Sequence, residues 1–330
     1  MLEVILLKVM LEKLLEEADF KSVITTFSDY QVEIEWDLTM RCNYSCSYCV
    51  SYTNEGPTHF QSLEHYKEAL EYLKNYLGNK IARVDLLGGE PMLYKDWVSL
   101  LNIIHDMNFI PKITTNLSIP KKTLESKIKE LIPKNCIDVS WHPQFADEKE
   151  IISKIKTIKE SGHLRTVSIL GDTRYWDKVL LARKNLDFLE TVEISFIKNE
   201  APTKNTIATE LIDYTEEQTK IINDSCKNKL NKQFTTKVTY SDGKEKSISN
   251  TTDFFSNDIT NFKGMRCEVG QLRLHIKPTG DVFPSACLLN YPKAKMGNIY
   301  KKNLIKPVNS VKCPFNFCGC GPDLRINKYA

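Results

Sequence analysis

Alternating strand-like and helix-like segments over residues 31–200 predict an α/β fold. The expected architecture is a partial (β/α)6 barrel followed by a small C-terminal α+β domain. Three observations carry this. Six short apolar or alternating runs are each followed by a polar or glycine-rich break. Segments with apolar residues at helical spacing separate them. Residues with chemical character gather at the ends of the runs, where β/α barrels place their chemistry. The chain accordingly divides into an N-terminal helix and connector (1–30), the barrel (31–200) and the smaller domain (201–330).

Met1 to Glu17 reads as an amphipathic helix, because Glu3 and the missing basic start argue against a cleaved signal. Residues 21–30 read as a connector to the first strand, about 31–39, in which Val32-Glu33-Ile34-Glu35-Trp36 alternates. A loop with three cysteines follows. Gln61 to Asn79 is a helix, with Leu63, Tyr66, Leu70, Leu73 and Leu77 on one face. Ile81 to Leu87 is a buried strand ended by Gly88-Gly89-Glu90-Pro91. Then come a helix from Trp97 to Met107, a strand from Ile110 to Asn116 and a helix from Lys121 to Leu131. A strand from Cys136 to Trp141, a helix from Asp147 to Ser161 and a strand from Arg165 to Leu170 continue the pattern. A helix from Lys178 to Leu189 and a sixth strand from Thr191 to Ile197 complete it. Beyond residue 200 the texture changes. Ala201 to Ala208 reads as a loop and Glu210 to Leu230 as a helix. Phe234 to Ser249 is a hairpin, Thr251 to Phe262 a polar loop, and Leu272 to Phe283 a second hairpin around Thr279-Gly280.

The chain has 330 residues, a hydrophobic fraction of 42% and a net charge of +3. That charge makes no case for a nucleic-acid partner, neither demanding nor excluding one. No run of about 18 apolar residues suggests a membrane span. Eight of the ten cysteines fall into two groups in a large chain, which points to metal or cluster binding in a reducing cytoplasm rather than a disulfide framework.

The first group is Cys42, Cys46 and Cys49, spaced C-x3-C-x2-C at the end of a strand. Iron–sulfur clusters normally take four cysteines. A missing fourth implies either a distant ligand or an iron left open. A structural zinc is the alternative, with His59 as the nearby histidine. The spacing, with Tyr48 before the last cysteine and Gly88-Gly89-Glu90-Pro91 after the second strand, resembles the signature of the radical S-adenosylmethionine (SAM) enzymes. The resemblance spans about residues 31–200. It implies a [4Fe-4S] cluster on Cys42, Cys46 and Cys49 whose fourth iron binds SAM. One-electron cleavage then yields a 5′-deoxyadenosyl radical that abstracts a substrate hydrogen. It also implies SAM contacts from Tyr48, Gly88, Gly89, Glu90 and Pro91, with Glu90 near the ammonium group. Asn116, Ser140 and His142, at strand ends, are expected to approach SAM or substrate, and strand-end capping is the plainer alternative. Trp141 and Cys136 read as core, Cys226 has no assigned role, and Lys198 reads as a solvated lysine.

The second group is Cys267, Cys287, Cys313, Cys318 and Cys320. With Pro278-Thr279-Gly280-Asp281 and Gly297-Asn298, it resembles the SPASM and twitch extensions of the same family. This implies one auxiliary [4Fe-4S] cluster on Cys267, Cys287, Cys313 and one of Cys318 or Cys320, the fifth thiol being spare or a hydrogen-atom donor. Tetrahedral zinc is again the alternative. The leading expectation is oxidation or epimerisation of a small carbohydrate-like substrate, with reduced flavodoxin or ferredoxin as electron donor. Peptide modification is the second, set back by the 41 residues before Cys42, too few for a leader-binding domain. A non-enzymatic iron–sulfur or zinc protein is the third.

Overall fold

The computed structural model describes residues 19–49, 57–190, 192–197, 213–226, 234–289, 291–306 and 310–330. The helix expected over 1–17, the loop over 201–208 and Lys198 lie outside the described residues. In chain order the elements are β1 (Phe20–Phe27), β2 (Val32–Asp37), α1 (Leu63–Leu77), β3 (Ala82–Leu87), α2 (Trp97–Asp106) and β4 (Ile110–Thr115). Next are α3 (Lys121–Ile128), β5 (Ile137–Trp141), α4 (Glu148–Glu160), β6 (Leu164–Leu170), α5 (Trp176–Asn185) and β7 (Val192–Ser195). The remainder holds α6 (Glu216–Cys226), β8 (Phe234–Tyr240), β9 (Glu245–Ile248), α7 (Thr251–Ser256), β10 (Arg266–Cys267) and β11 (Arg273–Ile276). The last are β12 (Asp281–Phe283), β13 (Gly297–Asn298), β14 (Val311–Lys312), α8 (Gly321–Leu324) and β15 (Lys328–Tyr329).

β2 to β7 lie side by side in sequence order, every pair parallel, with helices in the crossovers. This is the expected six-stranded β/α wall. Its alternation explains it: Val32, Ile34 and Trp36 join a helix-packed core with Tyr66, Leu70, Leu73, Val84 and Leu86, all at most 1% exposed. Each such side chain contributes about 1.5–3 kcal/mol by leaving water. Helix starts are fixed by Ser62 and Asp147, whose side chains accept from the amides of His65 and Glu150. The outer edge of β2 does not stay open. β11 pairs parallel to it, and β12 and β13 continue the sheet antiparallel.

A second sheet runs β14-β10-β15-β1-β8-β9 and is antiparallel throughout. Its core joins Val23, Val238, Phe254, Phe262 and Leu324. Two expectations are corrected here. The connector at 21–30 contains strand β1, paired with β8 along its length. A register shift between Phe20 and Ser22 breaks its period-two pattern and so hid it. The polar loop at Thr251 to Phe262 begins with α7, capped by Asn250 accepting from Asp253 N at 2.8 Å. Among the described residues no helix is long and apolar enough to cross a membrane.

Candidate active site

The loop leaving β2 is laced to the loop leaving β3. Leu38 N donates to Leu87 O, Gly89 N to Thr39 O at 2.8 Å and Glu90 N to Arg41 O at 2.8 Å. This contact requires glycine twice. A Cβ on Gly88, which sits at φ +120°, would lie 2.2 Å from Thr39 O, and one on Gly89 would lie 2.1 Å from Arg41 O. The close approach these glycines permit is therefore to the cysteine loop itself. Pro91 is buried and opens a short 3-10 turn. Glu90, 1% exposed, faces inward. Its carboxylate accepts from Met92 N at 2.9 Å, Thr115 Oγ1 at 2.7 Å and Asn116 N at 2.7 Å. Burial pushes this carboxyl up to about 7 against those three donors. Glu90 thus ties the end of β3 to the end of β4.

Cys42, Cys46 and Cys49, each half-buried, line a cavity of about 240 Å³ with Tyr44, Tyr48 and Gly88 to Glu90. Asn116, Ser140 and His142 complete its wall. Asn116 Nδ2 donates to Asn43 Oδ1 at 3.1 Å and approaches Cys42 Sγ at 3.9 Å. His142 Nδ1 meets Tyr48 OH at 2.8 Å and Cys46 Sγ at 3.4 Å, and its ring lies parallel to that of Tyr48. Burial lowers His142 to about 4, which keeps the ring neutral beside the thiols. The histidine that the structure brings to the thiols is thus His142, while His59 is exposed. The sequence-derived residues of this group therefore share one cavity, with Pro91 just behind it.

These side chains fit an iron–sulfur cluster. Burial pushes Cys46 up to about 12 and raises Cys42, so the thiols need a cation to ionise. Among the described residues no three His, Cys, Asp or Glu side chains enclose a single ion. The trio rings a cavity instead of closing on one point, unlike the donors of a tetrahedral zinc.

A larger cavity of about 450 Å³ runs from the barrel interior to Phe234, Thr251, Phe255 and Pro322 of the C-terminal part and shares Leu87, Thr114 and Ser140 with the first. Its floor is an alternating chain of charges that the sequence reading missed. Arg325 Nη2 donates to Glu33 at 2.6 Å, and Arg83 to Glu33 at 2.5 Å and Asp85 at 2.8 Å. Lys112 reaches Asp85 at 2.8 Å and Asp138 at 3.5 Å, and Arg165 grips Asp138 with two donors. A bulge in β6 opposite Ile137–Asp138 lets Arg165 and Thr166 both line the cavity. The Arg83 and Lys112 cations hold Asp85 well below the usual carboxylate range despite its burial. The available signal was a polar residue at every second position of consecutive strands, the mark of a polar barrel interior.

In the C-terminal part, β10 pairs Cys267 with Val311, just before Cys313 in the chain, and Cys313 and Cys318 pack against the same core. Asp323 accepts from Cys287 N at 2.9 Å, and burial raises the thiols of Cys267, Cys313 and Cys318 while the Lys328 cation works to lower them. Cys320 Sγ accepts from Arg273 Nη2 at 3.6 Å. Arg273 also pairs with Glu35 at 2.5 Å and Asp323 at 3.0 Å. Beside it His275 reaches Asp37 at 2.7 Å and Glu35 at 3.2 Å. Trp141 and Cys136 are buried as expected, and Cys226 is buried against Thr252.

Residues 36–148 match the family model of the Radical SAM superfamily. An S-adenosylmethionine-dependent nucleotide dehydratase of Selenomonas ruminantium is 29% identical over 90 residues, 27% of this chain and 31% of that protein. A GTP 3′,8-cyclase of Clostridium perfringens is 24% identical over 227 residues, 61% of this chain and 68% of that protein. The crystal structure of Streptococcus suis SuiB bound to S-adenosylmethionine superposes with a TM-score of 0.56 at 16% identity, covering 84% of this chain and 65% of that one. The last is a likeness of fold. The match spans under a third of the dehydratase and just under two thirds of SuiB.

Proposed function

We propose that this chain, whose residues 36–148 form a radical SAM domain, cleaves SAM reductively and oxidises or epimerises a small, carbohydrate-like substrate in the larger cavity. The observation that carries the reading is continuity. Leu87, Thr114 and Ser140 line both cavities, so a group held by the cysteines faces whatever fills the interior. Bound on Cys42, Cys46 and Cys49, a [4Fe-4S] cluster with SAM would supply the 5′-deoxyadenosyl radical.

The chain's own residues hold and orient. Gly88 and Gly89 let the cysteine loop seat against β3, and Glu90 locks the ends of β3 and β4 beneath it. His142 and Tyr48 fix each other beside Cys46, leaving Asn116 and Ser140 as polar contacts for SAM or substrate. Cys267, Cys287, Cys313 and Cys318 are the proposed ligands of one auxiliary [4Fe-4S] cluster in a twitch-like domain over 201–330. Cys320, held by Arg273, is then the spare thiol and the candidate hydrogen donor. The reading includes a cytoplasmic location and reduced flavodoxin or ferredoxin as donor. Nucleotides are the other substrate class, given the names of the curated relatives, but the charge of the interior argues otherwise.

Iron and sulfide analysis after anaerobic reconstitution tests the proposal. About eight irons per chain are expected, four for each cluster. Zinc in place of iron would reject the enzyme reading. Solvent deuterium gained at one substrate carbon would mark epimerisation, and a two-electron-oxidised product with stoichiometric SAM use would mark dehydrogenation.

A further inference from the structure

The charge of the larger cavity limits what can enter it. Among the described residues it is lined by five carboxylates, Glu33, Glu35, Asp85, Asp138 and Glu193, and four cations, Arg83, Lys112, Arg165 and Arg325. None of the four cations is uncommitted. Arg325 and Arg83 share Glu33, Arg83 and Lys112 share Asp85, and Lys112 and Arg165 share Asp138. Sites that bind polyphosphates offer the opposite arrangement, cations or backbone amides with no anion already on them. A phosphate entering here would have to displace carboxylates from buried pairs, leaving each without its partner.

The rest of the lining mixes apolar side chains, Leu87, Val139, Phe196, Phe234 and Phe255 among them, with hydroxyls. Thr114, Ser140, Thr166, Ser168 and Ser195 come from β4 to β7. Ser168 and Ser195 bond to each other, and Thr114 and Ser140 also face the cysteine cavity. Hydroxyls both donate and accept, which matches the groups of a polyol or amino sugar.

We infer that the interior selects a phosphate-free, hydroxyl-rich substrate, neutral or amine-bearing, and that Asp138 sets this selectivity by occupying both Lys112 and Arg165. The inference rests on the larger cavity being the substrate site. Asp138 is a positioning residue here, acting through the two cations.

Calorimetric titration of the reconstituted, SAM-loaded protein with GTP and with inorganic tripolyphosphate, at about 0.15 M salt, tests it. The wild type should show no saturable binding up to about 1 mM. Asp138→Asn should tighten binding of both probes at least about tenfold, because Lys112 and Arg165 lose their shared carboxylate. Should Asp138→Asn fail to fold, Glu33→Gln, which uncovers Arg83 and Arg325, is expected to do the same. Wild-type binding of GTP at or below about 10 μM that the variant leaves unchanged would overturn the inference. So would GTP, rather than glucosamine or N-acetylglucosamine, stimulating 5′-deoxyadenosine release. Absence of 5′-deoxyadenosine under every condition would reject the catalytic reading, while the titrations would still decide the charge preference.

Discussion

The two ends of the barrel interior are built from the same strands and differ completely in chemistry. At the C-terminal ends of β2 to β5 stand three thiols, a neutral histidine and tyrosine rings around a small cavity. About two residues deeper, Glu33, Arg83, Asp85, Lys112, Asp138 and Arg165 form a continuous chain of ion pairs. The deep end satisfies its own charges and leaves none of these cations free of a carboxylate. The thiol end has donors whose ionisation awaits a cation, and is therefore where a cofactor belongs. Under the proposed function, catalysis and charge selection fall to neighbouring layers of one barrel.

The comparison can be broken from the floor first. Arg83→Met leaves Glu33 with Arg325 alone and Asp85 with Lys112 alone. It should cost about 3 kcal/mol or more in chemical denaturation, with iron loading per folded molecule unchanged. A loss of iron without a loss of stability would show that the two layers are not separate.

Next is the seam between β11 and β2. Burial opposes the charge on His275, but Asp37 and Glu35 raise it from 6.5 to about 9. A group raised on folding stabilises fully below its unfolded value and loses that contribution as pH climbs through the folded one. Stability should therefore fall between pH 6.5 and about 9, by at most about 3.5 kcal/mol at 1.4 kcal/mol per pH unit. His275→Gln should flatten that part of the profile in thermal melts, and an unaltered slope would remove His275 from the account.

At the thiol end, Gly89→Ala forces a Cβ onto Arg41 O. A loss of about 1–3 kcal/mol is expected, with reduced iron loading because the cysteine loop is displaced. Full iron content in this variant would show that the loop seats without the close approach. The smallest effect belongs to Tyr48→Phe. Losing the bond to His142 should cost about 0.5–1.5 kcal/mol by denaturant titration, and a cost above that range would give Tyr48 a role beyond holding the ring.

The parallel wall was legible because its helices and strands show clean periods, with Leu63 to Leu77 and Val32 to Trp36 as the clearest stretches. The cysteine cavity was legible because its parts are local motifs at consecutive strand ends. The charged floor was not. Arg83 and Asp85 sit two apart on one strand, and their partners Glu33 and Lys112 come from neighbours whose register no local pattern gives. β1 was lost to a register shift, and β11, read correctly as one arm of a hairpin, gave no sign of its pairing with β2, a strand more than 200 residues earlier. The neighbourhood of Cys318 and the Arg273 contact of Cys320 likewise depend on packing that spacing does not encode.

The most direct test is release of 5′-deoxyadenosine from SAM by the reconstituted protein under a strong reductant, with Cys46→Ala alongside. The account predicts release by the wild type and none above background by the variant. Equal release from both, or none from a wild type carrying its full iron, would contradict it.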